Sequence, residues 1–230
     1  PVMVCMDGFI LTHAYERVDI PEQATVDKYL PPFKPRQVLD PADPYSIGAM
    51  VGPEAFTEVR YLAHDRQICA LDVIPRIADE FKALFGRDSG GLIHTYLTED
   101  AETIVVTLGS VAGTVKDTVD LMRENGTRIG VVSICSFRPF PKDQIRAVLE
   151  QAKRVVVLEK SFALGFGGIV ANNVMMSMQR TGVHVYTAVA GLGGRPIIRT
   201  SLTALFEKAG RDELEDVHFL DLDWEVVNRE

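Results

Sequence analysis

The chain has 230 residues, 47% apolar and 24% charged, a globular composition that excludes disordered and fibrous classes. Its 32 acidic and 24 basic residues leave a net charge of −8, which disfavours phosphate backbones and argues against a nucleic-acid partner. No apolar run approaches the roughly 18 residues that cross a bilayer, so no membrane partner is expected.

The chain opens on Pro1-Val-Met-Val-Cys-Met without an initiator Met, a basic n-region or a small-residue cleavage site, and reads as a piece of something longer. Val2 to Leu11 is an apolar run interrupted by Asp7-Gly8, the pattern of a strand buried on both faces that ends in a turn. From Ile20 to Pro53 seven prolines (21, 31, 32, 35, 41, 44 and 53) remove backbone donors and fix φ, so an extended arm is expected with no long helix or central strand. Tyr29-Leu30, Phe33, Val38-Leu39 and Tyr45 are apolar anchors suited to wrapping a neighbouring domain or subunit; the plainer alternative is a solvated linker. From Glu54 to Phe85, Phe56, Val59, Leu62, Ala63, Ile74, Ile77, Ala78, Phe81 and Leu84 recur at helical spacing up to Gly86. Pro75 leaves open whether this is one bent helix or two.

Beyond Gly90 short apolar runs alternate with helical stretches. Ile93 to Leu97 and Thr103 to Leu108 read as strands, Val111 to Glu124 as a helix stopped by Asn125-Gly126, and Ile129 to Ile134 as a strand. A helix at Lys142 to Ala152, a strand at Val155 to Leu158, a helix at Gly168 to Arg180 and a strand at Val183 to Val189 continue the pattern. A helix at Ile198 to Lys208 and a strand at Val217 to Leu222 end it. This alternation predicts an α/β fold, a mostly parallel twisted sheet with right-handed crossovers and helices on both faces, preceded by the Pro-rich arm.

The strand ending at Leu108 runs through Gly109-Ser110-Val-Ala-Gly113-Thr114 into a helix, so Ser110, Gly113 and Thr114 are candidates for contact with an anion at a helix N-terminus. No Lys follows Gly113, so this is not a P-loop, and Ser110 is equally explained as an N-cap. Gly165-Phe-Gly167-Gly168 lacks the third glycine of a dinucleotide fingerprint, which Val170 replaces, and reads as a loop before a closely packed helix. Arg138, between Phe137 and Pro139-Phe140-Pro141, and Arg195, in Gly191-Leu-Gly193-Gly194-Arg195-Pro196, are candidate carboxylate clamps or assembly contacts. Cys5, Cys69 and Cys135 stand apart without a CxxC, and the five histidines are scattered, so no metal or cluster site is expected from this chain alone and a reducing cytoplasm is the economical location.

One ordered series of motifs goes further. Met6-Asp7-Gly8-Phe9-Ile-Leu-Thr-His13, Val18-Asp-Ile-Pro21, Tyr29-Leu30-Pro31, Leu39-Asp40-Pro41, Glu58-Val-Arg60-Tyr61, Glu99-Asp100-Ala101-Glu102, Leu108-Gly109-Ser110, Phe137-Arg138-Pro139-Phe140-Pro141 and Gly191-Leu-Gly193-Gly194-Arg195 together resemble the alpha subunit of a 2-oxoacid:ferredoxin oxidoreductase, most like the pyruvate type and matching its C-terminal part. The resemblance implies an enzyme subunit, inactive alone, of a complex that uses thiamine diphosphate with Mg2+ and [4Fe-4S] clusters. Such a complex decarboxylates pyruvate or a related 2-oxoacid to acetyl-CoA and CO2, with coenzyme A as co-substrate and ferredoxin as acceptor. It implies beta, gamma and ferredoxin-like delta partner subunits, which with other parts of the protein hold the cofactors; no catalytic residue carries over to this chain. It also implies a division into the last strand of a thiamine-pyrimidine-binding domain (1–13), the arm (14–53), the long or kinked helix (54–90) and a transketolase C-terminal-like α/β domain (91–230). Ser133-Ile-Cys135-Ser136, Leu158-Glu159-Lys160-Ser161 where Leu-Asp-Arg-Ser is frequent, and Pro196 depart from the family pattern and bear on the choice among pyruvate, another 2-oxoacid and oxalate. Outside the family, the residues also admit a non-catalytic assembly module or a nucleotide binder using the Gly109 loop.

Overall fold

The structure is a computed structural model describing residues 2–44, 46, 48 and 50–229, apart from the side chain of Ile10. The chain forms two compact units, residues 15–91 and residues 92–230 joined by residues 1–14. The first helix, α1 (Ile10–His13), follows an irregular N-terminal segment; α2 (Gln23–Tyr29) and α3 (Phe56–Phe85) lie in the 15–91 unit. The remaining elements are β1 (Ile93–Tyr96), β2 (Thr103–Thr107), α4 (Val111–Glu124), β3 (Ile129–Ile134), α5 (Lys142–Leu149), β4 (Arg154–Glu159), α6 (Ile169–Ser177), β5 (His184–Val189), α7 (Arg199–Gly210), β6 (Val217–Phe219) and α8 (Trp224–Val227).

Among the described residues the sheet has the order β1-β3-β2-β4-β5-β6. All neighbours are parallel except the edge pair, where Ile93 opposes Ile134 in an antiparallel ladder. The near-continuous apolar strands are explained by two cores. Val105, Val131, Val156, Leu158 and Ala188 face α4 and α7, while Ile104, Val106, Val132, Val155 and Val157 face α5 and α6. On α4 the buried side chains are Val111, Val115, Thr118, Val119 and Met122, one stripe at helical spacing. The mostly parallel, two-faced α/β fold read from the alternation is therefore present.

Two expectations fail in detail. The Val2 to Leu11 run forms no strand: its start is irregular, with Val2, Met3 and Val4 at 86 to 91% exposure. A strand apolar on both faces needs partners for its backbone and its side chains, and no described strand lies beside this one. The crossovers also do not share one hand. The connections from β4 to β5 and from β5 to β6 move across the sheet in the same direction, yet α6 packs on one face and α7 on the other, so they have opposite hands. The three-residue β6 is an edge strand of the sheet, and the strand expected through Leu222 stops at Phe219, with Asp221 turning at a left-handed φ of 56°.

The 15–91 unit contrasts with this packing. A seven-residue helix, α2, fits between Pro21 and Pro31, within the limit the prolines impose. The Tyr29 ring sits edge-on to Phe81 and Phe85 of α3, at 6.0 and 5.5 Å, and its hydroxyl donates to the Ile77 carbonyl at 3.2 Å. Helix α3 runs unbroken through Pro75 and ends at Gly86, whose N–H donates to the Lys82 carbonyl and whose left-handed φ of 65° turns the chain out of the helix. Leu30, Phe33 and Leu39 stay exposed, and Tyr45 lies outside the described residues. No helix among the described residues is long and apolar enough to cross a membrane.

Candidate functional site: the crevice at the strand crossover

The chain leaves β2 for β3 on one side and returns to β4 on the other, so the loops after β2 and β4 part at the carboxyl edge, where open α/β sheets place ligands. The ladder pairs Thr103 to Val106 with Arg154 to Val157, and the buried Thr107 hydroxyl then donates to the Leu158 carbonyl at 3.2 Å, forming the floor of the opening.

A carboxylate of the same chain sits in this crevice. Asp7 Oδ2 accepts the Ser110 backbone N–H at 2.7 Å, and Asp7 Oδ1 accepts Lys160 Nζ at 3.0 Å. The hydrogen bond from Ser110, and then the Lys160 ammonium, hold the Asp7 carboxyl down at about 2. Gly109 makes the approach possible: its φ of 83° is left-handed, and a Cβ there would lie 3.2 Å from Oδ2. The Lys160 stem lies over Gly191, where an added Cβ would meet Lys160 carbons at 3.3 Å. Loops after β2, β4 and β5 therefore shape one cationic seat.

The sequence candidates divide around it. Ser110 stands at the N-cap position of α4, but its side chain makes no capping hydrogen bond; its backbone amide is satisfied by Asp7 instead. Gly113 and Thr114 lie in the following turn, where the Thr114 carbonyl accepts the Thr118 hydroxyl. Arg195 donates to the Asp221 carbonyl, and the Arg138 guanidinium stacks 4.1 Å from the centre of the Phe137 ring, so both arginines already have contacts within the chain.

A second carboxylate plays the same part at the next helix. Glu159, 4% exposed at the end of β4, accepts the N–H groups of Val170 and Ala171 at 2.9 and 3.0 Å and the Ser161 hydroxyl at 3.1 Å. Gly168 is required beside it, because a Cβ there would run into the Glu159 carboxylate and lie 2.9 Å from Thr187 Cγ2. The α6 amides that a phosphate would need are thus occupied, in accord with reading the Gly165 to Gly168 loop as close packing.

Asp7, Glu159 and Lys160 were not singled out from sequence as a site. The available signals were a single charge inside an apolar run, for Asp7, and a charge closing the four apolar residues Val155 to Leu158, for Glu159; each implies a polar partner, because a buried charge must be paired. A shallow cleft of about 230 Å3 beside β6 gathers Ser201, Lys208, His218 and Trp224, and burial pushes the His218 imidazole down.

The implied cofactors find no fitting donors here. A [4Fe-4S] cluster takes four thiolates, whereas the three cysteines are scattered and exposed, and no group of three His, Cys, Asp or Glu side chains among the described residues is arranged for a metal. The helix-terminal amides of Ser110, Val170 and Ala171 are committed to Asp7 and Glu159 rather than open to a diphosphate. No step is derived through these groups on this chain.

The fold and crevice define a three-layer α/β domain whose crossover crevice holds the chain's own Asp7 carboxylate. Residues 1–75 match the family model described as pyruvate flavodoxin/ferredoxin oxidoreductase, thiamine diP-bdg, and residues 101–201 match pyruvate:ferredoxin oxidoreductase core domain II. The pyruvate synthase subunit PorA of Methanosarcina barkeri is 41% identical over 99% of this chain and 58% of its own length. The ketoisovalerate oxidoreductase subunit VorA of Pyrococcus horikoshii is 36% identical over 90% of this chain and 53% of its own. Both matched family models describe pyruvate:ferredoxin oxidoreductases, and the chain spans somewhat more than half the length of the curated relatives it matches. A solved chain of the 2-oxoglutarate:ferredoxin oxidoreductase of Magnetococcus marinus aligns with 50% of this chain and 19% of its own at 19% identity and a TM-score of 0.42, too distant to bear on the site.

Proposed function

We propose that this chain is part of the alpha subunit of a thiamine-diphosphate- and iron–sulfur-dependent 2-oxoacid:ferredoxin oxidoreductase of the cytoplasm. The reaction breaks the C1–C2 bond of pyruvate, releases CO2, transfers the acetyl group to coenzyme A and passes two electrons to ferredoxin. Thiamine diphosphate, Mg2+ and the [4Fe-4S] clusters are held by other parts and by the beta, gamma and delta subunits. Residues 1–13 belong with a thiamine-pyrimidine-binding domain, 14–53 and 54–90 are the arm and helix joining it, and 91–230 is the transketolase C-terminal-like domain. Ser110, with Gly113 and Thr114 in the next turn, is a seat for an anionic group, which Asp7 supplies. The observation that carries this reading is the ordered pair of family matches at 1–75 and 101–201 within a chain 41% identical to a PorA subunit over 99% of its length.

The test is to purify the complex containing this chain and follow viologen reduction with pyruvate, 2-oxoglutarate, branched 2-oxoacids and oxalate, with and without coenzyme A. Coenzyme A-dependent reduction with pyruvate, and none by the chain alone, is the expected result. Reduction with a branched 2-oxoacid in preference to pyruvate would move the chain to the second reading, which the 36% identity to a ketoisovalerate oxidoreductase subunit supports. Tight binding of an adenine nucleotide by the isolated chain would replace the subunit reading with that of a nucleotide-binding protein.

A further inference from the structure

Residues 2–8 have no regular structure, Val2, Met3, Val4, Met6 and Phe9 are 69 to 91% exposed, and the α1 turn closes on itself through the His13 N–H to the Phe9 carbonyl. Asp7 is the exception. Its side chain is 29% exposed, and its two oxygens go to different loops, one on each side of the crossover. The partners are complementary in kind: a backbone amide at the start of a 14-residue helix, aligned with that helix's dipole, and a flexible ammonium whose stem is held over Gly191. Gly109 provides the clearance, since a side chain there would crowd Oδ2.

We propose that Asp7 is a positioning residue, a latch whose carboxylate seats residues 2–14 across the carboxyl ends of β2 and β4 by bridging the Ser110 amide and Lys160. Asp7 lies in the stretch matched by the thiamine-diphosphate family model, and Ser110 and Lys160 lie in the stretch matched by core domain II. The latch therefore couples the two family regions through one side chain. It rests on the geometry of this chain and stands whichever 2-oxoacid the complex uses.

The test is limited chymotrypsin digestion of the full chain, timing cleavage at Phe9 and Leu11, with the thermal unfolding of each variant measured alongside. Cleavage of a transiently released segment follows the population of the released form, so Asp7→Ala should speed it on the order of tenfold, and Lys160→Met by a smaller factor in the same direction. The double variant should be no faster than Asp7→Ala, because both changes remove the same bridge. A charge-exchanged pair, Asp7→Lys with Lys160→Asp, restores the ion pair but not the carboxylate on the Ser110 amide, and should remain fast. Cleavage of Asp7→Ala within twofold of the parent, or rescue by the exchanged pair, overturns the latch. If Asp7→Ala unfolds the α/β domain, Lys160→Met decides by the same twofold criterion.

Discussion

Strand β2 and helix α3 are both rich in apolar side chains and meet opposite fates. All five residues of β2 are buried, whereas α3, 30 residues long, buries none fully and exposes Phe56, Tyr61 and Leu62 by 55 to 67%. The strand's neighbours on every side are supplied by the same chain: β3 and β4 in the sheet, helices above and below. The helix has α2 and Tyr29 along its C-terminal half, while Phe56, Val59, Tyr61, Leu62 and Ile68 of its N-terminal half are exposed. Apolar periodicity thus predicts an element but not what covers it; within this chain, burial comes only where later segments return to the same face.

The comparison is most sharply tested in the core. Phe206 is 2% exposed between α7 and the sheet, and Phe206→Ala should cost about 3 to 5 kcal/mol, measured by denaturant unfolding of the chain. Phe56→Ala removes the same atoms from an exposed helix and should cost under about 0.5 kcal/mol in that assay. Similar costs for the two would mean that α3 has a packed partner within the chain.

The arm extends the contrast to assembly. Leu30 and Phe33 are 62 and 88% exposed, while neighbouring Tyr29 is engaged with α3, so the informative double variant is Leu30→Ser with Phe33→Ser. It should leave the chain's unfolding unchanged and weaken its association in the complex by about 1 to 3 kcal/mol per anchor, read by sedimentation at sub-micromolar concentration. Undiminished association would make the arm a plain linker.

Two glycines of the α/β unit divide in the same way, by what lies beside them. At Gly168 an added methyl has no space against the Glu159 carboxylate and Thr187, and Gly168→Ala should destabilise the α/β domain by about 1 to 3 kcal/mol in thermal unfolding. At Gly210, where nothing lies within 4 Å of the added atom, the same change should be neutral or slightly stabilising, as expected for Ala in a helix.

The sequence was legible where the chain packs on itself. The runs at 103–108, 129–134 and 183–189 and the stripe of α4 are local patterns answered by local neighbours, and each appears within a residue or two of its expected bounds. It misled at Val2 to Leu11, because an apolar run reports affinity for a sheet without saying whether partner strands are at hand. It left the crevice unread because Asp7 and Ser110 are 103 residues apart, and their meeting depends on the crossover rather than on spacing. The glycine at 109 was visible as a turn residue, but its second role, clearance for a carboxylate, exists only once the N-terminal segment is in place.

The smallest effect expected is also the most specific. Asp7 is held at about 2 in the folded chain, against 3.8 ordinarily, so its carboxylate is the favoured form in the latched state. A depressed carboxyl contributes stability that is complete above about pH 4 and lost as pH falls through about 2, where the folded form must also take up the proton. The full shift corresponds to about 2.4 kcal/mol, and solvent at the partly exposed Asp7 and Lys160 side chains reduces it to about 1 to 2. Asp7 is not alone in being lowered: Arg123 lowers the Asp100 carboxyl and Arg154 that of Asp212. The informative quantity is therefore the difference in unfolding free energy between the parent and Asp7→Asn across pH 2 to 5. That difference should be flat above pH 4, with the parent more stable, and should shrink towards pH 2. Raising the salt at neutral pH should narrow it only in part, because Lys160 is screened while the short hydrogen bond from the Ser110 amide persists. A difference that stays constant from pH 5 to 2 would place the stabilisation in the side chain's packing and not in its charge.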